Sequence, residues 1–237
     1  MMKVLAKLTA VSGLIVLSTG CSLDLFGSKE SALVCIENNI ALPAGYAVEP
    51  TTICDAPSGV FTWSVEEATF SSVANSSQLT TENDEALAGF TNINLRHDFA
   101  YTLINSPATS PIQSEIDGVN RVFFRDQSPG VGIAYLGRTQ CNMNTALQYM
   151  ECDHRIYGRQ QVSSAVSEVV VPYVLSSPNA ANDEIEVSSI LQHEYVHGLG
   201  LQDNTVSGSI MYVDELKGRT PGLSSDDVQA LQHIYMQ

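Results

Sequence analysis

Phe61, Trp63 and Val65 occupy alternate positions in FTWSV (61–65), the pattern of a half-buried strand. Residues 82–104 then place Ala86, Leu87, Phe90, Ile93, Phe99 and Leu103 at mixed helical spacings, which predicts a helix. NRVFF (120–124) and VGIAYLG (131–137) predict two strands, separated by the turn-forming RDQSPG. YMECDHRIY (149–157) sets Met150, Cys152 and Ile156 on one side and mostly polar residues on the other, a further strand. EVVVPYVL (168–175) is β-branched, but Pro172 cannot donate to a ladder, so the stretch is expected at a sheet edge or in a loop. SSPNAAND (176–183) predicts a loop.

The clearest helical pattern follows. Val187, Ile190, Leu191 and Val196 share one face, and His193 and His197 sit one turn apart on the neighbouring face. Gly198 and Gly200 weaken the helix, so it should stop near Leu199 and turn at Gly200. In LSSDDVQALQHIYM, Ser224 stands three residues before Asp227, as in a capping box, and Val228, Leu231, Ile234 and Tyr235 continue a helical stripe. Residues 32–60 hold three prolines and no period, and are expected to form an irregular lead-in. Residues 22–31 have the composition of a short tether, and no internal repeat or second motif-bearing domain is evident.

The N-terminus carries a separate pattern. Lys3 and Lys7 precede an apolar run of eleven residues, 8–18, which is a secretory signal in form and too short to span a bilayer. It closes in LSTGC, which resembles the lipobox of bacterial lipoproteins. The resemblance implies a signal peptide over 1–20, an acylated Cys21 as new N-terminus, and anchoring in the cell envelope. Ser22, where an aspartate would hold some lipoproteins in the inner membrane, favours the outer one. A Cys21 left unacylated would instead mean secretion.

Export bears on the cysteines at 21, 35, 54, 141 and 152. With Cys21 lipidated, four remain for an oxidising compartment, and three pairings are open to them. Cys35–Cys54 and Cys141–Cys152 are expected because each closes a short loop. No C-x-x-C pair is present, which argues against a cysteine-ligated structural zinc. Apolar residues are 44% and charged residues 16% of the 237, so a buried core is expected. The formal charge is −15; losing Lys3 and Lys7 with the signal leaves 9 basic against 26 acidic residues, or −17. That excess argues against nucleic acid and anionic lipid surfaces as partners.

The candidate chemistry lies in HEYVHGLGLQD (193–203). Histidines at i and i+4 project from one helix face, and their rings can converge on one Zn²⁺. Glu194, beside the first histidine, is placed to take a proton from the attacking water and pass it to a leaving amine. A hydrolytic zinc needs a third protein ligand and one open position. Gly200 and then Asp203 follow at the spacing of the extended motif, with SIMY (209–212) shortly after.

EVSSILQHEYVHGLGL, SGSIMYVDEL and LSSDDVQALQHIY together resemble a matrixin catalytic domain, one branch of the metzincin zinc endopeptidases, in order and spacing. DGVNRVFF and GIAYLG resemble the sheet of that family. The resemblance covers residues 58–237, leaving 21–57 as acylated cysteine, tether and stapled lead-in. It implies an α/β (α+β) zincin-like fold: a twisted, mostly parallel sheet, two long helices, a cleft, a Met-turn and a C-terminal helix. It implies His193 and His197 as zinc ligands, Glu194 as general base and acid, Gly200 at the turn and Met211 as a hydrophobic floor. Matrixins have histidine where Asp203 stands; an aspartate there is similar to snapalysin-type metzincins, which use it as third ligand. Expected partners are protein or peptide substrates and the membrane through Cys21, with the chain a monomer.

Other readings stay open. His154 or Glu215 could be the third ligand, with Asp203 only a hydrogen-bond acceptor, and a gluzincin would use Glu215 in particular. Cys54 could cap the metal as a latency switch. Tyr212 directly follows Met211 and is expected to wall the cleft. His97, His154 and His233 are expected to be surface or core histidines. The acidic chain allows calcium, but it has no twelve-residue calcium loop and no site is assigned. In a different class, a metzincin fold on a surface lipoprotein could bind zinc and a partner without turnover; the intact Glu194 speaks against that.

Overall fold

A computed structural model describes residues 40–48, 60–66, 76–91, 93, 95, 98–104, 119–126, 130, 136–144, 149–161, 169–171, 173–175, 184–212, 216 and 222–235. The expectations for residues 1–20, Cys21, Cys35, Cys54, His97, the 176–183 loop and Glu215 lie outside them.

The alternating stretch at 61–65 forms strand β1, Val60–Glu66, with Phe61, Trp63 and Val65 buried. The single helix expected over 82–104 is wrong. A helix, α1, runs Ser76–Ala88, and a strand, β2, runs Asp98–Ile104. The chain turns between them, where Phe90 N–H donates to the Leu87 carbonyl (2.9 Å). Phe99 and Leu103 looked helical beside Phe90 and Ile93, but with Tyr101 they lie on alternate positions. They pair in parallel register opposite Phe61, Trp63 and Val65 of β1. Phe99 stacks on Phe61 with centroids 5.8 Å apart, so packing across the two strands decides the local structure.

Strands β3 (Asn120–Arg125), β4 (Gly137–Asn144) and β5 (Tyr149–Tyr157) complete a five-stranded sheet of order β2-β1-β3-β5-β4. All neighbours are parallel except β4, which lies antiparallel to β5 at the edge. Of the strand expected over 131–137, residues 131–135 lie outside the described ones; β4 begins at Gly137 and runs on through the polar GRTQCNMN. Pro172 itself lies outside the described residues. Only two-residue strands flank it, β7 (Val169–Val170) against β6 (Arg159–Gln160), and β8 (Tyr173–Val174) against β9 (Ile185–Glu186). Cys141 and Cys152 face each other across β4 and β5 and are joined by a disulfide, the pairing expected.

The central helix α2, Val187–Gly198, lies against α1, β4 and β5 with nearly every residue buried. Its N-terminus takes its cap from another element: Glu82 of α1 accepts the Ser188 N–H at 2.9 Å. Its C-terminus closes as a Schellman motif, with Gly200 N–H bonded to the His197 carbonyl (2.8 Å) and Leu201 N–H to that of Val196 (3.2 Å). Gly200 stands at φ 99°, a conformation that favours glycine. Helix α3, Ser225–Tyr235, starts with the expected reciprocal cap between Ser224 and Asp227. Residues 40–48 of the lead-in dock here: the Gln202 N–H donates to the Ala47 carbonyl, and Val48 bridges to Leu201.

Candidate metal centre

Helix α2 sets His193 and His197 one turn apart, with ring centroids 4.6 Å from each other. The turn at Gly200 brings the chain back so that Asp203 Oδ1 lies 3.2 Å from His193 Nε2 and 3.3 Å from His197 Nε2. One ligand atom from each of the three falls within 4.8 Å of the other two, the one such His/Cys/Asp/Glu cluster among the described residues. Asp203 is 58% exposed at its side chain, so the cluster opens on one side to solvent.

Both imidazoles are oriented from behind. His193 Nδ1 is 2.8 Å from the Ile210 carbonyl, and His197 Nδ1 is 2.8 Å from the Leu201 carbonyl. A carbonyl only accepts, so each Nδ1 carries the hydrogen and each Nε2 can present a lone pair. A tetrahedral zinc with ligands at about 2.1 Å holds its ligand atoms about 3.4 Å apart. The two histidine–aspartate separations match that spacing, and the donor set of two nitrogens and one carboxylate oxygen suits zinc.

The electrostatics favour a cation. Burial opposes charge on His197, but the hydrogen bond to Asp203 and the Glu194 charge raise it to about 9. Partial burial would raise the Asp203 carboxyl, but hydrogen bonds from His193 and His197 hold it well below the usual carboxylate range. These carboxylates hold a positive charge between them, and a metal cation can replace the proton there.

Met211 is fully buried, with its N–H on Ser209 Oγ (3.0 Å) and its carbonyl accepting the Asn204 N–H (3.0 Å). Asn204 follows Asp203 and also donates to Ser209 Oγ (2.9 Å), so the Met-turn and the Asp203 loop are tied together. Beneath them Asp227 is fully buried and accepts four hydrogen bonds. They come from Tyr46 (2.8 Å), Ser209 (2.6 Å), the Ile210 N–H (3.0 Å) and the Ser224 N–H (2.8 Å). The backbone of Ile210 thus joins the Asp227 carboxylate to the His193 ring. Tyr212 is half-buried, and its N–H donates to the Ser209 carbonyl (3.1 Å).

Glu194 points from α2 toward β4 and is almost fully buried; Thr139 Oγ1 donates to its Oε2 at 2.6 Å. His154 lies behind, fully buried, with both ring nitrogens engaged by Trp63 and Thr139. It is therefore a core histidine and stands away from the three-residue cluster. Burial first, then the His197 charge, lower it to about 3, so it is neutral. His233 is half-buried and bonded to the Ile40 carbonyl. Sequence reasoning missed Thr139, Asn204 and the role of Asp227. Asn204 carried a weak signal, because asparagine favours turns; Thr139 carried none.

The family model described as Matrixin matches residues 62–236, from within β1 through α3. The chain belongs to the matrixin family. This membership implies a zinc-dependent metalloendopeptidase acting on protein or peptide substrates, and the mixed five-stranded sheet with three helices agrees with the matrixin fold. No curated protein matches the chain.

Proposed function

We propose that this matrixin is an exported, lipid-anchored zinc endopeptidase whose metal is held by His193, His197 and Asp203 and whose proton carrier is Glu194. The observation that carries the reading is the convergence of His193 Nε2, His197 Nε2 and Asp203 Oδ1, with both Nδ1 hydrogens committed to backbone carbonyls. When bound, zinc supplies a Lewis acid that polarises the scissile carbonyl and acidifies water. The remaining work falls to the protein. Ile210 and Leu201 keep the two rings in register, and Asp203 lowers the net charge of the site while leaving its open side to substrate. Glu194 takes a proton from the attacking water and returns it to the leaving amine. An extended substrate can align along β4, an edge strand of the sheet beside Glu194. The anchor rests on LSTGC closing the apolar run, which supports acylation at Cys21 and residence at the envelope.

Casein and a mixed peptide library digested by the purified protein test this reading. Cleavage should stop with a zinc chelator and return with zinc. Glu194→Gln should keep zinc, because that carboxylate is not a ligand, and lose at least about 10²-fold in turnover. Near-normal turnover in a zinc-replete Gln variant would refute the role of Glu194. Full zinc binding with no cleavage of any peptide would favour a binding protein instead.

A further inference from the structure

We propose that Thr139 and His154, backed by Trp63, are positioning residues that fix the Glu194 carboxylate for proton transfer. The proposal rests on the reading of Glu194 as proton carrier and adds to it the groups that aim this carboxylate.

Three polar groups, Trp63, His154 and Thr139, form a chain that ends on Glu194, and the direction of every hydrogen bond in it is determined. The Trp63 indole N–H can only donate, and it meets His154 Nε2 at 3.1 Å. His154 Nε2 therefore accepts, and in the neutral ring the hydrogen sits on Nδ1. That Nδ1–H meets Thr139 Oγ1 at 2.7 Å, so the threonine accepts there. Thr139 must then send its own hydrogen to the one remaining acceptor, Glu194 Oε2, at 2.6 Å. His154 and Thr139 each have one partner on either side, and His154 has one tautomer. A buried polar chain is stabilising only when complete, and this one is. Its Trp63, His154 and Glu194 side chains are almost entirely removed from solvent.

The surrounding backbone makes room for this chain. Thr139 and His154 are opposite partners in the β4–β5 ladder, so their side chains rise together on the face beneath α2. Two strand positions before Thr139, Gly137 leaves space for Glu194: a Cβ there would stand 1.8 Å from Oε1 and 2.5 Å from Cδ. On α2, a Cβ at Gly198 would stand 2.8 Å from the His154 ring. The glycine that weakens the helix by sequence is thus the one that admits His154. Glu194 is held at Oε2 by a hydroxyl and flanked at Oε1 by a residue without a side chain. Its carboxylate cannot rotate freely, and the Thr139 hydroxyl leaves Oε1 for the substrate's water.

A network that only braced β4 against α2 would affect folding and not turnover, so the test separates the two. Thr139→Val keeps the shape and removes the donor. It should retain zinc and melt close to the wild type, with kcat lower by about 10–100-fold, the usual effect of losing an outer partner, and KM little changed. Thr139→Ser should recover most of that loss. A second readout does not need turnover. Trp63 is the sole tryptophan, so its indole N–H gives a single nuclear magnetic resonance signal. Thr139→Val should shift that signal, because it removes the acceptor of the His154 Nδ1–H next to the Trp63 hydrogen bond; Glu194→Gln, whose amide oxygen can still accept from Thr139, should shift it less. Thr139→Val turnover within about twofold of wild type, or an indole signal unmoved in Thr139→Val, overturns the proposal. An active Glu194→Gln removes the proton-carrier reading and this proposal together. An inactive Glu194→Gln beside a fully active Thr139→Val removes this proposal alone.

Discussion

Truncating Asp227 to alanine should damage stability and metal affinity together. The carboxylate receives two hydroxyls and two backbone N–H groups in a fully buried setting. Hydrogen bonds to a charged acceptor contribute about 1.5–3 kcal/mol each, but they are not additive, and hydroxyls can turn to new partners. Breaking a buried charged network by removing one member costs about 3–5 kcal/mol. In a domain of this length each kcal/mol lowers Tm by about 2–4 °C, so a fall of roughly 6–20 °C is expected. Asp227→Asn should fall less. Its carbonyl can face the Ile210 and Ser224 N–H groups, but its NH₂ then meets Ser209 Oγ, which already accepts from Asn204 and Met211. The effect on the metal follows from Ile210, whose N–H is held by Asp227 and whose carbonyl orients His193. Loosening that peptide should weaken zinc binding by about 10–100-fold. Thermal unfolding with chelator present removes the contribution of bound metal, and a competitive zinc titration measures the affinity. An Asp227→Ala protein melting within about 2 °C of wild type and binding zinc equally well would refute the reasoning.

Two further outcomes are expected. Replacing Cys141 and Cys152 by serine opens a cross-link of sequence separation 11 and should cost about 2–3 kcal/mol under non-reducing conditions, seen as a lower denaturant midpoint; an unchanged midpoint would show that the ladder alone holds the edge strand. Cys21→Ser should move the protein from the membrane fraction to the soluble one, since acyl chains contribute about 0.8 kcal/mol per buried CH₂, and a mature N-terminus at any residue other than 21 would end the anchor hypothesis.

What the sequence revealed follows physical lines. The helix carrying His193 and His197 was legible because its apolar period and its ligand spacing coincide, and its end because glycine takes up the φ of 99° at position 200. The β1 and β5 strands showed themselves through alternation, and β3 through the short apolar stretch VFF before a turn. The start of α1 at Ser76 did not, because the apolar pattern placed the helix from 82 onward; Glu82 and Asn83, polar by type, are both buried. Glu82 caps α2, and Asn83 accepts the Tyr195 hydroxyl, partners more than a hundred residues away. Strand β4 was hidden for a related reason. The positions Gly137, Thr139 and Cys141, which a core strand would fill with apolar residues, hold space for Glu194, its hydrogen-bond donor and a disulfide. His154 had no local signal of its role, since its partners lie on three other elements.

Metal analysis of purified, zinc-equilibrated protein addresses the central claim most directly, with wild type, Asp203→Ala, His154→Ala and Glu215→Ala measured side by side. The account predicts about one zinc per chain in the wild type and in the His154 and Glu215 variants, and a large loss in Asp203→Ala, because two protein ligands make a weak site. Full zinc in Asp203→Ala, with loss in either of the other two, would contradict it.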